Sequence, residues 1–113
     1  MYAQGEFTGR SGHTLIGSFT LERADDGFRM TTGADFFFDA ATPGPAWGLG
    51  DPDRPPYPAL LGGSVWLELE PFAPISGPHA YVIPGTYQVT TAPAIIAWCT
   101  VLNLPLGEGR LLR

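Results

Sequence analysis

One thiol, two imidazoles and a scatter of carboxylates are the groups in this chain with chemistry to offer. Cys99, the single cysteine, follows Trp98 at the end of the longest apolar run, and as a thiolate it could act as an electron donor or a metal ligand. With His13 and His79 it would make a His, His, Cys set able to hold zinc or copper, but the three are dispersed and match no metal-motif spacing, so no metal site is expected. A blue-copper centre would add a methionine soon after the cysteine, whereas Met30 lies far upstream. No Lys or Arg stands near Cys99 in the sequence to depress its pKa, and a thiol between apolar neighbours is expected to stay protonated. Free cysteine is also among the most buried residue types and commonly only packs.

The carboxylates read more blandly. Asp35 and Asp39 frame three consecutive phenylalanines and suit turn caps or solvated ends better than calcium, which draws on a full set of oxygen ligands. Asp25-Asp26 belongs to a hairpin tip, and Glu68 and Glu70 to the wet face of a strand. No Gly-x-Ser-x-Gly occurs, and Ser11-Gly12-His13 lacks the setting of a nucleophile elbow. No phosphate-binding glycine loop leads into a helix. Trp66, Trp98 and Tyr57 could stack a sugar, although Trp98 reads as core. No catalytic residue is assigned.

Charge removes two partner classes. The net charge is -5 with a pI near 4.7, and the basic residues are six dispersed arginines, Arg10, Arg23, Arg29, Arg54, Arg110 and Arg113. A nucleic-acid footprint needs clustered cations, and so does adhesion to an anionic membrane. No segment approaches eighteen apolar residues, so membrane insertion is not expected.

At 113 residues the chain is expected to form one domain over 1–113, burying roughly two thirds of the surface its unfolded form exposes. With 44% hydrophobic residues it should not be disordered. Its 15 glycines and 12 prolines recur every few residues and leave little room for an amphipathic helix, so short strands and turns are predicted.

Residues 5–13 read as a short strand and a Ser11-Gly12 turn. Leu15, Gly17, Phe19 and Leu21 alternate with polar neighbours as one half-buried strand, Asp25-Asp26-Gly27 reverses it, and Phe28 to Thr32 returns. Within Ala34 to Asp39, Phe36 and Phe38 should be buried together with Phe37 on the other side.

Thr42 to Gly63 reads as an extended surface loop, paired at most around Trp47 and Leu49, with Arg54 and Tyr57 exposed at its tip. In Ser64 to Glu70 the alternation predicts Val65, Leu67 and Leu69 inside, with Trp66, Glu68 and Glu70 outside. A loop from Phe72 to His79 follows, then short strands at Tyr81 to Ile83 and Tyr87 to Val89.

Ala94 to Cys99, continuing through Val101 and Leu102, is short enough to be one buried strand, with a short helix opened by Thr91 and Pro93 as the alternative. As a strand it places Ile95, Ala97, Cys99 and Val101 on one face and Ile96, Trp98, Thr100 and Leu102 on the other. Leu104 to Leu112 is expected as a final edge, closed by a Gly107-x-Gly109 turn. The sum is an all-β domain: an antiparallel β-sandwich or flattened barrel of about seven to nine short strands with a long Pro/Gly-rich loop.

The spacing of Tyr81-x-Ile83-Pro84 to Trp98-Cys99, followed by Leu102, Leu104-Pro105-Leu106-Gly107 and Arg110-Leu111, resembles the DM thirteen domain, also called the electron-transfer DM or Skeletor-type domain. Gly5-x-Phe7, Ser11-Gly12-His13, Gly17, Asp35-Phe36-Phe37-Phe38-Asp39, Pro43-x-Pro45 and Gly48-Leu49-Gly50 agree, so the resemblance covers nearly the whole chain. It implies electron transfer or redox sensing through Cys99, as a free thiol or as ligand to a bound group, with haem or copper the cofactors it would suggest. Trp98 and Tyr81 would pack around the sulfur, with His79 and Asp35 in a supporting pocket, and an unidentified redox or protein partner would follow.

As written the chain carries no apolar leader and is expected in the cytoplasm. Family members are often exported, so an exported or periplasmic location follows where a leader has been removed. The competing reading is a non-catalytic binding module with a structural cysteine, in which the loop Pro43 to Pro58 and Trp66 meet a protein or a glycan.

Overall fold

The structure, a computed structural model, describes residues 1–53 and 65–113. Arg54, Tyr57 and the proposed loop tip around them lie outside the described residues. The described residues are all β: β1 (Ala3–Gly9), β2 (Leu15–Ile16), β3 (Ser18–Ala24), β4 (Gly27–Thr32), β5 (Phe37–Phe38), β6 (Pro45–Gly50), β7 (Val65–Glu68), β8 (Ile75–Ser76), β9 (Ala80–Pro84), β10 (Ala94–Cys99) and β11 (Leu104–Arg110). Eight strands form one antiparallel sheet in the order β7-β6-β10-β11-β1-β3-β4-β9, which curls until its edges β7 and β9 approach each other as a nearly closed barrel. The Tyr87 hydroxyl crosses to that opposite edge and donates to the Val65 carbonyl at 3.1 Å. A small sheet, β2-β5-β8, completes the domain.

Closure explains the core. A barrel has one inside, so alternate residues of each strand meet there. Phe7, Phe19, Leu21, Met30, Trp47, Ile83, Ile95, Ala97, Cys99 and Leu106 are buried together in it. Trp47 is its hub, with ring centroids 5.4 Å from Phe7, 5.9 Å from Phe38 and 5.8 Å from Tyr81.

Local chemistry set several elements as expected. The β3–β4 hairpin turns on Asp25-Asp26 with Ala24 opposite Gly27. Phe36 and Phe38 are buried while Phe37 is half-buried. The run Ala94–Cys99 is a strand and not a helix, its inner face Ile95, Ala97 and Cys99 joining the main core, while Ala94, Ile96 and Trp98 form a second buried cluster.

Other elements differ, each for a physical reason. The strand expected from Leu15 onward breaks at Gly17, whose φ of +101° swings the chain from the small sheet into the large one. Pro45–Gly50 is a central strand between β10 and β7, not loop: its first residue is proline, where no ladder donor is needed, and the blocking prolines begin only at Pro52.

Around β7 Trp66 and Leu67 exchange the expected faces, while Glu68 and Glu70 are exposed and Leu69 packs against the core as expected. Trp47 pairs with Leu67 and Gly48 with Val65, so Trp66 is the extra residue of a bulge and turns inward, while Leu67 is exposed. Tyr87 to Val89 is turn, its amides bonded locally to Pro84 and Tyr87 carbonyls. β10 stops at Cys99, leaving Val101 and Leu102 exposed in the turn that follows.

Leu104–Arg110 is not an edge but lies between β10 and β1. Gly107 and Gly109 sit inside that strand because Leu15 and Phe19 lie over them. A Cβ on Gly107 would stand 2.6 Å from Leu15 Cδ2, and one on Gly109 would meet the Phe19 ring.

Candidate functional site: a donor-lined sulfur at one end of the barrel

Cys99 is the last residue of β10, opposite Pro45 on β6 and Leu104 on β11, at the point where the strand gives way to the Thr100–Asn103 turn. Its inward register comes from the apolar alternation of β10, and its side chain is fully buried. Two short segments then wrap the sulfur. The stretch 42–44 before β6 contributes Thr42, buried itself, whose hydroxyl donates to Cys99 Sγ at 2.9 Å. The turn after β10 folds back so that the Leu102 amide donates to the same atom at 3.3 Å.

These donors decide the electrostatics. Burial pushes the Cys99 thiol up, but the Thr42 hydroxyl and the amides of Leu102, Val101 and Gly44 outweigh it, and the thiol settles below its ordinary value. Help that the sequence neighbours of Cys99 do not offer thus comes from a distant segment, through Thr42. Among the described residues no cation contributes; the negative form is favoured by dipoles, as at an oxyanion hole.

A metal at the sulfur would need further ligands beside it, and among the described residues no three His, Cys, Asp or Glu side chains converge. His13 Nδ1 lies 3.1 Å from Asp39 Oδ1, and His79 Nε2 lies 3.0 Å from the Ser76 carbonyl. The residues around Sγ do not fit a copper centre or a haem ligand set.

The remaining sequence-derived residues are spread over the barrel. Trp98 is on the opposite face of β10 from Cys99, within the second cluster. Tyr81 and His79 do come together, ring centroids 6.2 Å apart, beside Glu70 and Ser76 in a shallow cleft of about 500 Å³. Burial pushes the Tyr81 phenol up, against a weaker pull from the Trp47 indole, whose N–H makes no hydrogen bond of normal geometry.

Asp35 is held by the Ser18 amide and hydroxyl, which lower its pKa. Asp39 resists the upward push of burial through the Thr14 and Ala41 amides and His13, and also lies below the ordinary carboxylate value. Both acids cap turns. Trp66 is 8% exposed, so it offers no ring face to a glycan.

Sequence reasoning missed Thr42. Its partner lies 57 residues away, and nothing in Ala-Thr-Pro-Gly-Pro marks the threonine as a sulfur ligand. No protein-family model, curated protein or solved structure matches the chain. Among the described residues no helix is long and apolar enough to cross a membrane.

Proposed function

We propose that this domain works in thiol redox chemistry, with Cys99 as the responsive group and no bound metal or cofactor. The observation that carries the reading is the convergence of Thr42 Oγ1 and the Leu102 amide on a fully buried sulfur. A structural cysteine in an apolar core needs no donors, whereas a thiolate without a neighbouring cation needs several. The resemblance to the electron-transfer DM domain supports the same assignment.

In the oxidative step the Cys99 thiolate attacks one oxygen of a hydroperoxide, the O–O bond breaks, and hydroxide or alkoxide leaves. Sulfur loses two electrons and becomes a sulfenic acid, and the peroxide gains them.

The test is thiolate ultraviolet absorbance against pH, followed by mass spectrometry after peroxide treatment. A thiol that titrates below a cysteine-containing reference peptide and gains one oxygen in the folded protein is the expected result. A thiol that titrates at or above the reference, or that resists peroxide until unfolding, overturns the reading.

A further inference from the structure

Three large apolar side chains stand out at the end of the barrel that holds Cys99. Phe72 is 64% exposed, Val101 64% and Leu102 58%. They sit on two turns, both pinned to the segment 42–44. The Phe72 amide donates to the Thr42 carbonyl at 3.2 Å, and the Thr100 amide donates to the Gly44 carbonyl at 2.7 Å. Val101 lies so close to Gly44 that a Cβ there would stand 2.8 Å from Val101 Cγ2. Phe72 holds a φ of +56°, a backbone conformation that a bulky side chain rarely adopts. Both turns of this apolar tip are thus tied by backbone hydrogen bonds to one segment.

Charge selects what covers it. Glu68 and Glu70 are exposed on the chain leading into Phe72, and neither 71–74 nor 100–103 contains a cation. An anionic membrane surface is repelled by that pair, and a second copy docking tip to tip would set the same glutamates against each other. We propose that the Phe72, Val101 and Leu102 tip is a docking surface for a protein partner whose contact patch is an apolar groove bordered by Lys or Arg.

The partner would seat on the turn whose Leu102 amide bonds Cys99 Sγ, so the docking event and the thiol share one turn. This names the partner class of the Cys99 site and rests on the thiol reading for its use, though not for its geometry. The glutamates would speed and orient the encounter.

The probe is a designed amphipathic helical peptide with a leucine face bordered by lysines, titrated into the isotope-labelled full chain, alongside a twin in which glutamates replace the lysines. The lysine peptide should bind about tenfold tighter than its twin, shifting amides of 71–73 and 100–103. Phe72→Ser should weaken it by about tenfold, and the Glu68→Gln, Glu70→Gln pair should remove the preference between twins.

Equal binding of the twins, shifts confined to another face, or unchanged binding by Phe72→Ser overturns the proposal. So does binding to neutral phosphatidylcholine vesicles in place of the peptide, or tip-dependent dimerisation in sedimentation. Cys99→Ser is run in parallel. If it docks like the parent while Cys99 proves inert to peroxide, the thiol reading fails and docking stands. A reactive thiol on a chain that ignores the peptide gives the reverse.

Discussion

Thr42 Oγ1 stands 2.9 Å from Cys99 Sγ, and both residues are buried although 57 positions separate them. The threonine lies on the approach to β6, the cysteine at the end of β10, and the antiparallel pairing that sets Cys99 opposite Pro45 brings them together. Thr42→Val keeps the shape and removes the donor. It should raise the Cys99 pKa, measured by thiolate absorbance, and slow alkylation at neutral pH. A variant whose thiol titrates like the parent would show that the backbone amides alone hold the sulfur.

The same lowered thiol has a consequence for stability. A group whose folded pKa lies below its unfolded one favours the folded state once it ionises. The contribution is absent below the folded pKa, grows as pH rises through it, and is complete above the ordinary thiol value. Urea unfolding from neutral to alkaline pH should show this gain in the parent and lose it in Cys99→Ala. A flat difference between the two across that window would contradict the assignment.

How much of this was legible beforehand divides by range. The Asp25-Asp26-Gly27 reversal, the alternation of Phe36 and Phe38 and the buried run into Cys99 are written in adjacent residues, and the structure has them. Trp66 misled because alternation assumes an unbroken ladder. Its face depends on a bulge opposite Trp47 and Gly48, which belongs to the pair of strands and not to either one.

The place of β11 was hidden for a similar reason. Two glycines read locally as a turn, but in the closed sheet they are the space that Leu15 and Phe19 occupy. The site followed suit: the cysteine was visible, and the hydroxyl that tunes it was not.

At the acid end the carboxylate caps take over. Asp39 accepts from the Thr14 amide at 2.7 Å and the Ala41 amide at 3.2 Å, and it pairs with His13. Its folded pKa is lowered, as is that of Asp35, so both stabilise the fold above the ordinary carboxylate range, and the benefit is lost as pH falls through their lowered values. Asp39→Ala should cost about 1–2 kcal/mol at neutral pH and flatten the acid limb of the stability profile. An unchanged acid limb would place the acid sensitivity elsewhere.

Phe72 offers a test in which stability should rise. Its ring is largely in water, yet its backbone sits at a φ of +56°, so it gains little from burial and carries strain. Asparagine tolerates that conformation better. Phe72→Asn should stabilise the chain by about 0.5–1 kcal/mol while weakening peptide docking, which is the trade expected where an exposed aromatic is kept for binding. Loss of stability in the variant would mean that the ring packs more than its exposure indicates.

Gly17 and Gly12 separate backbone strain from steric exclusion. Both hold positive φ, +101° and +78°, but a Cβ on Gly12 would meet nothing within 4 Å, while one on Gly17 would stand 2.5 Å from the Asp35 carbonyl oxygen and from Phe36 Cα. Backbone atoms cannot swing aside as a flexible side chain can. Gly12→Ala should therefore cost about 1 kcal/mol, the strain alone. Gly17→Ala should cost about 3 kcal/mol or more, because it drives apart the crossing where the small sheet passes into the barrel. Chemical denaturation of the two variants side by side decides the matter, and equal losses would mean that the crossing at Gly17 yields without disturbing Asp35 or Phe36.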